Sequence, residues 1–297
     1  MESRRVAVAC CRRATDAAPN DLYPDPDAAP LQTALRSLGV SSALVSWDDP
    51  SVPWKGFSHV VISSTWDSVD RPCEYLQWAR RIADVTTLVN DVELVEWNLD
   101  KTHQRDLAAA GVPTIPTDWL ASGDLWTPPT TTEFVVKPSV SAGGRSTARY
   151  AAGDPAALDH VRALHDAGQT VMVQPYLQAI DADGEVDIVH FNGTFSHAVK
   201  KRPALQVGQG LVEHPWERMA WEGIVTPTAA EMVVADAVVG VVRQRVGRYP
   251  VYSRVDLIGD PPGTPTLLEL ELIDPYLSLD MEAAGATRMA QAILART

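Results

Sequence analysis

A lysine followed by a loop of small residues is the feature of this sequence best suited to binding phosphate. The stretch 134–146 reads Phe-Val-Val-Lys-Pro-Ser-Val-Ser-Ala-Gly-Gly-Arg-Ser, so a strand-like run carries Lys137 to its end. Ser141, Gly143 and Gly144 follow in a loop whose backbone N–H groups can contact phosphate oxygens. The pattern is not a P-loop, because the lysine precedes the glycines. A flexible hairpin with a surface lysine is the alternative that this stretch alone leaves open.

Acidic and apolar residues alternate on two consecutive strand-like segments near the C-terminus. Arg254 and Asp256 lie on the first segment, and Glu269 and Glu271 lie on the second. Residues two apart share one face of a strand, so pairing of the segments would bring three carboxylates and an arginine together. Such a cluster favours a hard divalent cation such as Mg²⁺. The alternative is that the two glutamates form the solvated side of a half-buried strand.

Three consecutive basic residues end a strand of a predicted hairpin. The dipeptide Asn192-Gly193 between two apolar runs predicts the hairpin turn. Lys200, Lys201 and Arg202 close its second strand, and in an acidic chain they could neutralise a triphosphate. A solvated strand end is the other interpretation.

The elements that must position these residues alternate in type along the chain. Short apolar runs at Val6–Cys10, Ser42–Trp47 and Val60–Ser63, separated by helical patterns, predict a parallel α/β unit. Strand-like runs on either side of a helical pattern in the middle of the chain predict an α+β lobe. A long amphipathic pattern at Thr228–Val246 predicts a helix in a further lobe.

Composition and charge restrict the classes of partner. The chain has 297 residues and a formal net charge of −13, which argues against a nucleic-acid or anionic-membrane surface. Its length predicts two or three subdomains around a cleft, the usual place for a small-molecule site. Cys10, Cys11 and Cys73 show neither metal-type spacing nor a disulfide framework, so we expect a reducing cytoplasm.

Taken in chain order, these motifs resemble the ATP-grasp superfamily, in particular its glutathione-synthetase/RimK-like branch. The resemblance runs from Asn90 to the C-terminus, and the N-terminal unit is similar to the Rossmann-like α/β domain that precedes the grasp. It implies a mixed α/β and α+β protein with a nucleotide cleft between two α+β lobes. The implied divisions are an N-terminal pre-ATP-grasp domain at 1–90, a lid lobe at 91–175 and a central C-terminal lobe at 176–297.

The resemblance also implies roles for individual residues. Lys101 in Trp-Asn-Leu-Asp-Lys and Lys137 in Val-Val-Lys-Pro match the two ATP lysines, and the loop 141–146 resembles the mobile flap over the phosphates. The other matched positions are the adenine hinge (Gln174, Tyr176, Leu177), the ribose contact (Glu185), the base on the transferred phosphate (Lys201, with Lys200 as the alternative), the arginine for the acylphosphate or the substrate carboxylate (Arg254) and the metal ligands (Asp256, Glu269, Glu271).

Two departures from the family pattern affect these assignments. The third metal ligand is often Asn in this superfamily, so Glu271 adds a negative charge. The Arg-Gly-Asn stretch that often follows the basic strand is replaced by residues 206–211, which leaves the acceptor site open. The implied cofactors are ATP and Mg²⁺, as two ions, with Mn²⁺ as a substitute.

Within the branch, three segments are similar to the cycloserine synthetases, which close O-ureido-D-serine into D-cycloserine with ATP. These segments are Ser63–Asp67, Phe195–Pro203 and Leu268–Leu279. The implied activity is ATP-dependent C–N bond formation through an acylphosphate of an amino-acid-like small molecule. The alternatives are an intermolecular amino-acid or peptide ligase and a nucleotide-binding regulator without catalysis. Homo-oligomerisation is left open.

Overall fold

The computed structural model describes residues 4–16, 25–202, 205, 207–211, 220–259, 264–282 and 284–296. Pro203 and Gln206, which belong to two of the segments discussed above, lie outside the described residues. Three sheets organise the described part of the chain. None of its helices is long and apolar enough to cross a membrane.

The N-terminal sheet is parallel, with strand order β2-β1-β3-β4. Its elements are β1 (Arg5–Cys10), α1 (Arg12–Asp16), α2 (Ala28–Ser37), β2 (Ser41–Ser46), β3 (His59–Ile62), α3 (Pro72–Ala83) and β4 (Thr87–Val89), with 3₁₀ turns at Trp54–Gly56 and Ser68–Asp70. Helix α3 begins with Pro72 and buries Tyr75, Trp78, Ala79 and Ile82, the spacing of one helix face. The predicted parallel α/β unit is confirmed.

The second sheet is antiparallel, with order β5-β8-β6-β7. The elements of this region are α4 (Val92–Asn98), α5 (His103–Ala109), β5 (Asp118–Leu120), β6 (Phe134–Pro138), β7 (Ala148–Tyr150), α6 (Ala156–Asp166), β8 (Val171–Pro175) and α7 (Ala179–Asp183). Helix α6 buries Ala157, Val161 and Leu164 against the sheet, which forms a separate small core.

The third sheet is antiparallel, with order β11-β10-β9-β12-β13. The elements of this region are β9 (Glu185–Phe191), β10 (Thr194–Arg202), β11 (Ala220–Val225), α8 (Ala229–Val246), β12 (Tyr252–Gly259), β13 (Pro265–Glu271) and α9 (Gly285–Leu294). Asn192 and Gly193 both have positive φ, 49° and 74°, so the predicted hairpin turn joins β9 to β10. A capping box between Thr228 and Glu231 begins α8, which packs on this sheet.

The chain after β13 returns to the N-terminal sheet. Met289 and Ile293 of α9 share a core with Leu31 and Leu35 of α2. The carboxylate of Asp27, just before α2, accepts hydrogen bonds from the backbone amides of residues 277 and 279, at 2.5 and 2.7 Å. Helix α9 therefore contacts both α2 and the third sheet, and the divisions at 1–90, 91–175 and 176–297 stay a prediction.

Two buried asparagines fasten the ends of β12 and β13. The Asn90 amide donates to the carbonyls of Tyr252 and Leu272, at 2.9 and 2.8 Å. The Asn98 amide donates to the carbonyl of Leu270 at 2.9 Å, and its oxygen accepts from the Leu272 amide at 2.8 Å. Because buried backbone groups need partners, these bonds fix the acidic strands against α4 and the first sheet.

Candidate active site

A cavity of about 920 Å³ opens between the three sheets. All but one of the residues predicted from the sequence to form the site line it: Lys101, Lys137, Ser141, Gly143, Gly144, Gln174, Tyr176, Leu177, Glu185, Lys201, Arg254, Asp256, Glu269 and Glu271. Lys200 is the exception. Cavities of this size are large enough for a nucleotide and a small substrate.

Strands β12 and β13 pair, which is the condition under which the sequence predicts that the acids converge. In register, Arg254 lies opposite Glu271 and Asp256 lies opposite Glu269. Carboxylate oxygens of Asp256, Glu269 and Glu271 lie within 4.8 Å of one another. The Arg254 guanidinium donates to both oxygens of Asp256 at 2.8 Å and to Glu271 at 2.5 Å. The acids therefore form one cluster, in which Asp256 is buried and the two glutamates are half-buried, with an arginine at its edge.

The two glutamates of β13 have opposite electrostatic environments. Burial acts to raise the pKa of Glu269, but the nearby ammonium groups of Lys101 and Lys137 outweigh it and lower that pKa to about 2. Burial raises the pKa of Glu271 to about 7, with Arg254 opposing and the negative charges of Glu269 and Asp256 adding to the rise. A divalent cation bound by these carboxylates would offset the excess negative charge around Glu271.

Two lysines approach the acidic cluster from different elements. Lys137 lies on β6 of the second sheet, and Lys101 lies in the turn between α4 and α5. The Lys101 ammonium lies 3.0 Å from Glu269 and donates to the carbonyl of Ser141 at 2.5 Å. Its backbone amide donates to the carbonyl of Ser139 at 2.8 Å, which ties this turn to the loop after β6. Burial lowers the pKa of Lys137 to about 8, with Glu269 opposing the shift and Lys101 adding to it. An anion between the two lysines would stabilise both charges.

The structure distinguishes Lys201 from Lys200. The Lys201 ammonium is buried and contacts Glu185, lies 3.2 Å from Asp187 and lies 3.9 Å from Asp256. Burial lowers its pKa, and the neighbouring acids act against the shift. In the pairing of β10 with β9, Lys201 lies opposite Glu185 and Lys200 lies opposite Val186, so the Lys201 side chain shares the acidic face of β9.

Sequence reasoning missed Asp187. It lies opposite Asp256 in the pairing of β9 with β12 and is only 2% exposed. Its Oδ1 has no hydrogen-bond partner among the described residues, and burial and Asp256 raise its pKa. Oxygens of Glu185, Asp187 and Asp256 also lie within 4.8 Å of one another. The alternation of Glu185 and Asp187 on one strand face is the signal that could have identified it.

An apolar slot lies beside the predicted hinge. Ile115, Ile180, Ile258 and Leu268 line it, together with Val135. These residues come from separate parts of the sequence and carry no motif, so the sequence does not reveal them. A flat aromatic base would fit such a slot.

Polar groups of the hinge already have partners that restrict its use. The Gln174 amide donates to the Thr117 hydroxyl at 2.9 Å. The backbone amide of Tyr176 donates to the carbonyl of Glu133 at 2.8 Å, and the Arg149 guanidinium lies 3.4 Å from the centre of the Tyr176 ring. The Tyr176 amide is therefore not free to bind a ligand.

The glycine-rich loop extends over the cavity to the N-terminal region. Gly143 and Gly144 adopt positive φ of 59° and 72°, which glycine accepts without strain. Arg145 then lies 3.0 Å from Asp70 and donates to the carbonyl of Trp66 at 2.6 Å. The loop is thus fastened to the Thr-Trp-Asp segment that follows β3.

The Thr-Trp-Asp segment, residues 65–67, forms part of the cavity wall. Trp66 and Asp67 line the cavity. The Asp67 carboxylate accepts from the Trp47 indole at 2.8 Å and pairs with Arg71 at 2.6 Å. The Thr65 hydroxyl donates to Asp274 at 3.0 Å.

The three sheets and the shared cavity define an ATP-grasp protein, as the sequence predicted, and solved structures show the same fold. The RimK-domain ATP-grasp protein of Sphaerobacter thermophilus matches with a TM-score of 0.62 at 15% identity, covering 98% of this chain and 100% of that one. D-alanine–D-alanine ligase from Bacillus anthracis, complexed with ATP, matches with a TM-score of 0.63 at 11% identity, covering 98% and 96%.

Similarity in sequence defines the family more narrowly. Residues 6–90 match the family described as D-cycloserine synthetase DcsG, N-terminal domain. The cycloserine biosynthesis protein DcsG of Streptomyces lavendulae is 36% identical over 288 residues, which cover 92% of this chain and 94% of the relative. The crystal structure of D-cycloserine synthetase DcsG matches with a TM-score of 0.85 at 32% identity, covering 97% and 98%. The chain belongs to the D-cycloserine synthetase family, so the prediction of an ATP-dependent ligase is confirmed.

Proposed function

We propose that this protein uses ATP and Mg²⁺ to activate the carboxylate of O-ureido-D-serine and close it into D-cycloserine. The observation that supports this most directly is the arrangement of Lys101, Lys137, Lys201 and Arg254 around the β12–β13 acids in one cavity. Four cations beside a carboxylate cluster in one cavity suit a metal-bound triphosphate and a negatively charged transition state.

The nucleotide base would lie in the apolar slot and the phosphates would lie under the glycine-rich loop. The free amide of the hinge would be that of Leu177, since the Tyr176 amide is already used. Glu185 would accept hydrogen bonds from the ribose, and Lys101 and Lys137 would contact the phosphates. The lowered pKa of Lys137 would rise again when a phosphate neutralises its surroundings.

The carboxylates of Asp256, Glu269 and Glu271 fit Mg²⁺, because they provide hard oxygen ligands within 4.8 Å of one another. We propose two Mg²⁺ ions, with Mn²⁺ as a functional substitute. Bound there, the metal would offset negative charge on the phosphate oxygens. It would also lower the pKa of Glu271, which burial, together with the charges of Glu269 and Asp256, raises to about 7.

The chain's own residues would then orient and stabilise the reacting groups. Arg254 would hold the substrate carboxylate, whose oxygen attacks the γ-phosphorus and displaces ADP. Lys201 would stabilise charge on the transferred phosphoryl group. The substrate nitrogen that is bonded to the side-chain oxygen would attack the acyl carbon of the resulting acylphosphate, and phosphate would leave. Water would then release the carbamoyl group from this nitrogen as carbamate, which breaks down to CO₂ and ammonia, and D-cycloserine would remain. The glycine-rich loop, fastened by Arg145, would exclude water that could hydrolyse this intermediate.

The test is an ADP-release assay on purified protein with Mg²⁺ and a panel of amino-acid derivatives that includes O-ureido-D-serine. We expect release only with that substrate or close analogues, and D-cycloserine as the product by mass spectrometry. Lys137→Ala should remain folded and lose ATP affinity. Lys200→Ala changes a lysine outside the cavity and should keep the wild-type ATP affinity.

The other outcomes identify the alternatives. A linear product that contains a second amine would indicate an intermolecular ligase. Nucleotide binding without ADP release across the panel would indicate a regulator. We further propose that the protein acts in the cytoplasm, where ATP is available and where Cys10, Cys11 and Cys73 would stay as the free thiols seen here. Size measurement in solution would test whether it forms a homo-oligomer.

A further inference from the structure

A carboxylate outside the proposed metal site faces the cavity without a cation. Asp274 lies three residues after Glu271 and lines the cavity. The Thr65 hydroxyl donates to its Oδ2 at 3.0 Å and also bonds the hydroxyl of Tyr75 at 3.0 Å, so the carboxylate is held in place. Among the described residues, no basic side chain forms an ion pair with it. Asp274 is half-buried, and withdrawing an unpaired carboxylate from water is costly, so this position favours a cationic ligand.

The electrostatics agree with that geometry. Burial raises the pKa of Asp274 to about 6, with the Thr65 hydrogen bond and Lys101 acting against the shift. A positive group of a ligand beside this carboxylate would restore the charged form.

A second aspartate in the same cavity provides a contrast. Asp67 also lines the cavity, but Arg71 lies 2.6 Å from its carboxylate and the Trp47 indole donates to it at 2.8 Å. Its charge is already balanced by the protein. The two aspartates share a cavity and a charge, and only Asp274 lacks a cationic partner among the described residues.

The loop that carries Asp274 is bonded to the arginine that would hold the reacting carboxylate. The Arg254 guanidinium donates to the carbonyl of Tyr276 at 3.1 Å, and Tyr276 is two residues after Asp274. A cation site and an anion site are thus attached to one short loop. An α-amino acid carries its ammonium and carboxylate on the same carbon, so it needs two sites of opposite charge close together.

We propose that Asp274, held by Thr65, binds the α-ammonium group of the amino-acid substrate while Arg254 holds its carboxylate. This inference rests on the proposed function and adds the group by which the site selects amino acids. A substrate without the ammonium leaves the Asp274 carboxylate unpaired, and sites built around such a polar contact discriminate strongly against analogues that lack it.

The experiment compares O-ureido-D-serine with its desamino analogue, which keeps the ureido group and the carboxylate. ADP release gives kcat/KM for both compounds with wild-type protein, Asp274→Asn and Asp67→Asn. We expect wild type to prefer the amino acid by about 100-fold, which is in the upper part of the range for a hydrogen bond to a charged group. Asp274→Asn should reduce this preference to less than about tenfold with an unchanged KM for ATP, because only the ammonium contact is lost. Asp67→Asn should keep the wild-type preference, whatever its effect on kcat.

Each remaining outcome decides the matter. A folded Asp274→Asn protein with the wild-type preference, or a wild type without any preference, overturns the inference and leaves the proposed function intact. If Asp274→Asn does not fold, Thr65→Val replaces it, and this variant should lower the preference at least about threefold through loss of one hydrogen bond. An unchanged preference in Thr65→Val overturns the inference. Absence of ADP release by wild type with every amino acid overturns the proposed function itself.

Discussion

Replacing Lys201 by alanine should both destabilise the protein and slow its reaction, whereas the same change at Lys200 should do neither. The Lys201 ammonium is the cation shared by Glu185, Asp187 and Asp256. Its removal leaves three carboxylates together in a buried site, with Arg254 as the remaining neighbouring cation described for this group.

The size of the effect follows from the distances. At an effective dielectric constant of about 20, unit charges 3.2 Å apart attract by about 5 kcal/mol and charges 3.9 Å apart by about 4 kcal/mol. Much of this attraction is offset by the desolvation of the lysine, so we expect a net loss of about 3 kcal/mol in the free energy of unfolding. Loss of a donor to the transferred phosphoryl group should reduce kcat by about 100-fold or more.

Urea denaturation and steady-state ADP release measure the two effects on the same preparations. Addition of Mg²⁺ should recover part of the lost stability of Lys201→Ala, because a bound cation replaces some of the missing positive charge. Lys200→Ala is the matched control: the same residue type on the same strand, outside the cavity. Equal stability and equal kcat in the two variants would refute this reasoning.

Three further changes test other parts of the site. Burial lowers the pKa of His103 to about 4, so the native state keeps it neutral while the unfolded chain binds a proton below its usual pKa of 6.5. Stability is therefore lost as pH falls from about 6.5 towards 4. Between pH 7 and 5 the unfolding free energy of wild type should fall by about 2 kcal/mol more than that of His103→Gln. Parallel curves of unfolding free energy against pH for the two proteins would contradict this. Asp187→Asn should lower kcat about tenfold with little change in unfolding free energy, because the Lys201 amine loses a partner that fixes its position; an unchanged kcat would exclude a positioning role. Arg145→Ala should raise the KM for ATP several-fold without a change in thermal stability, because exposed ion pairs contribute about 0–1 kcal/mol. Asp70→Asn leaves the bond from Arg145 to the Trp66 carbonyl and should raise the KM for ATP less. Equal increases in KM would argue against the loop being fastened through that carbonyl.

The sequence was informative where the chemistry depends on local geometry. Alternation on β12 and β13 predicted that Asp256, Glu269 and Glu271 would share a face, and the Asn192-Gly193 turn predicted the β9–β10 hairpin. Both depend on two-residue periodicity or turn conformation, which neighbouring residues determine.

Features that depend on contacts between distant segments could not be predicted in the same way. The register between β10 and β9 decides between Lys200 and Lys201, because it places Lys201 opposite Glu185, and the sequence alone does not give this register. The approach of Thr65 to Asp274 joins segments that are 209 residues apart. The packing of α9 on α2 likewise depends on where the chain turns after β13.

The proposed metal site is tested most directly by crystallography of the protein with ADP and Mn²⁺, using the anomalous signal of the metal. The proposed site predicts an anomalous peak within coordinating distance of Asp256, Glu269 and Glu271, with the diphosphate between that peak and the amines of Lys101 and Lys137. A fully occupied nucleotide with no metal peak at these three carboxylates, or with both lysines directed away from the phosphates, would contradict it.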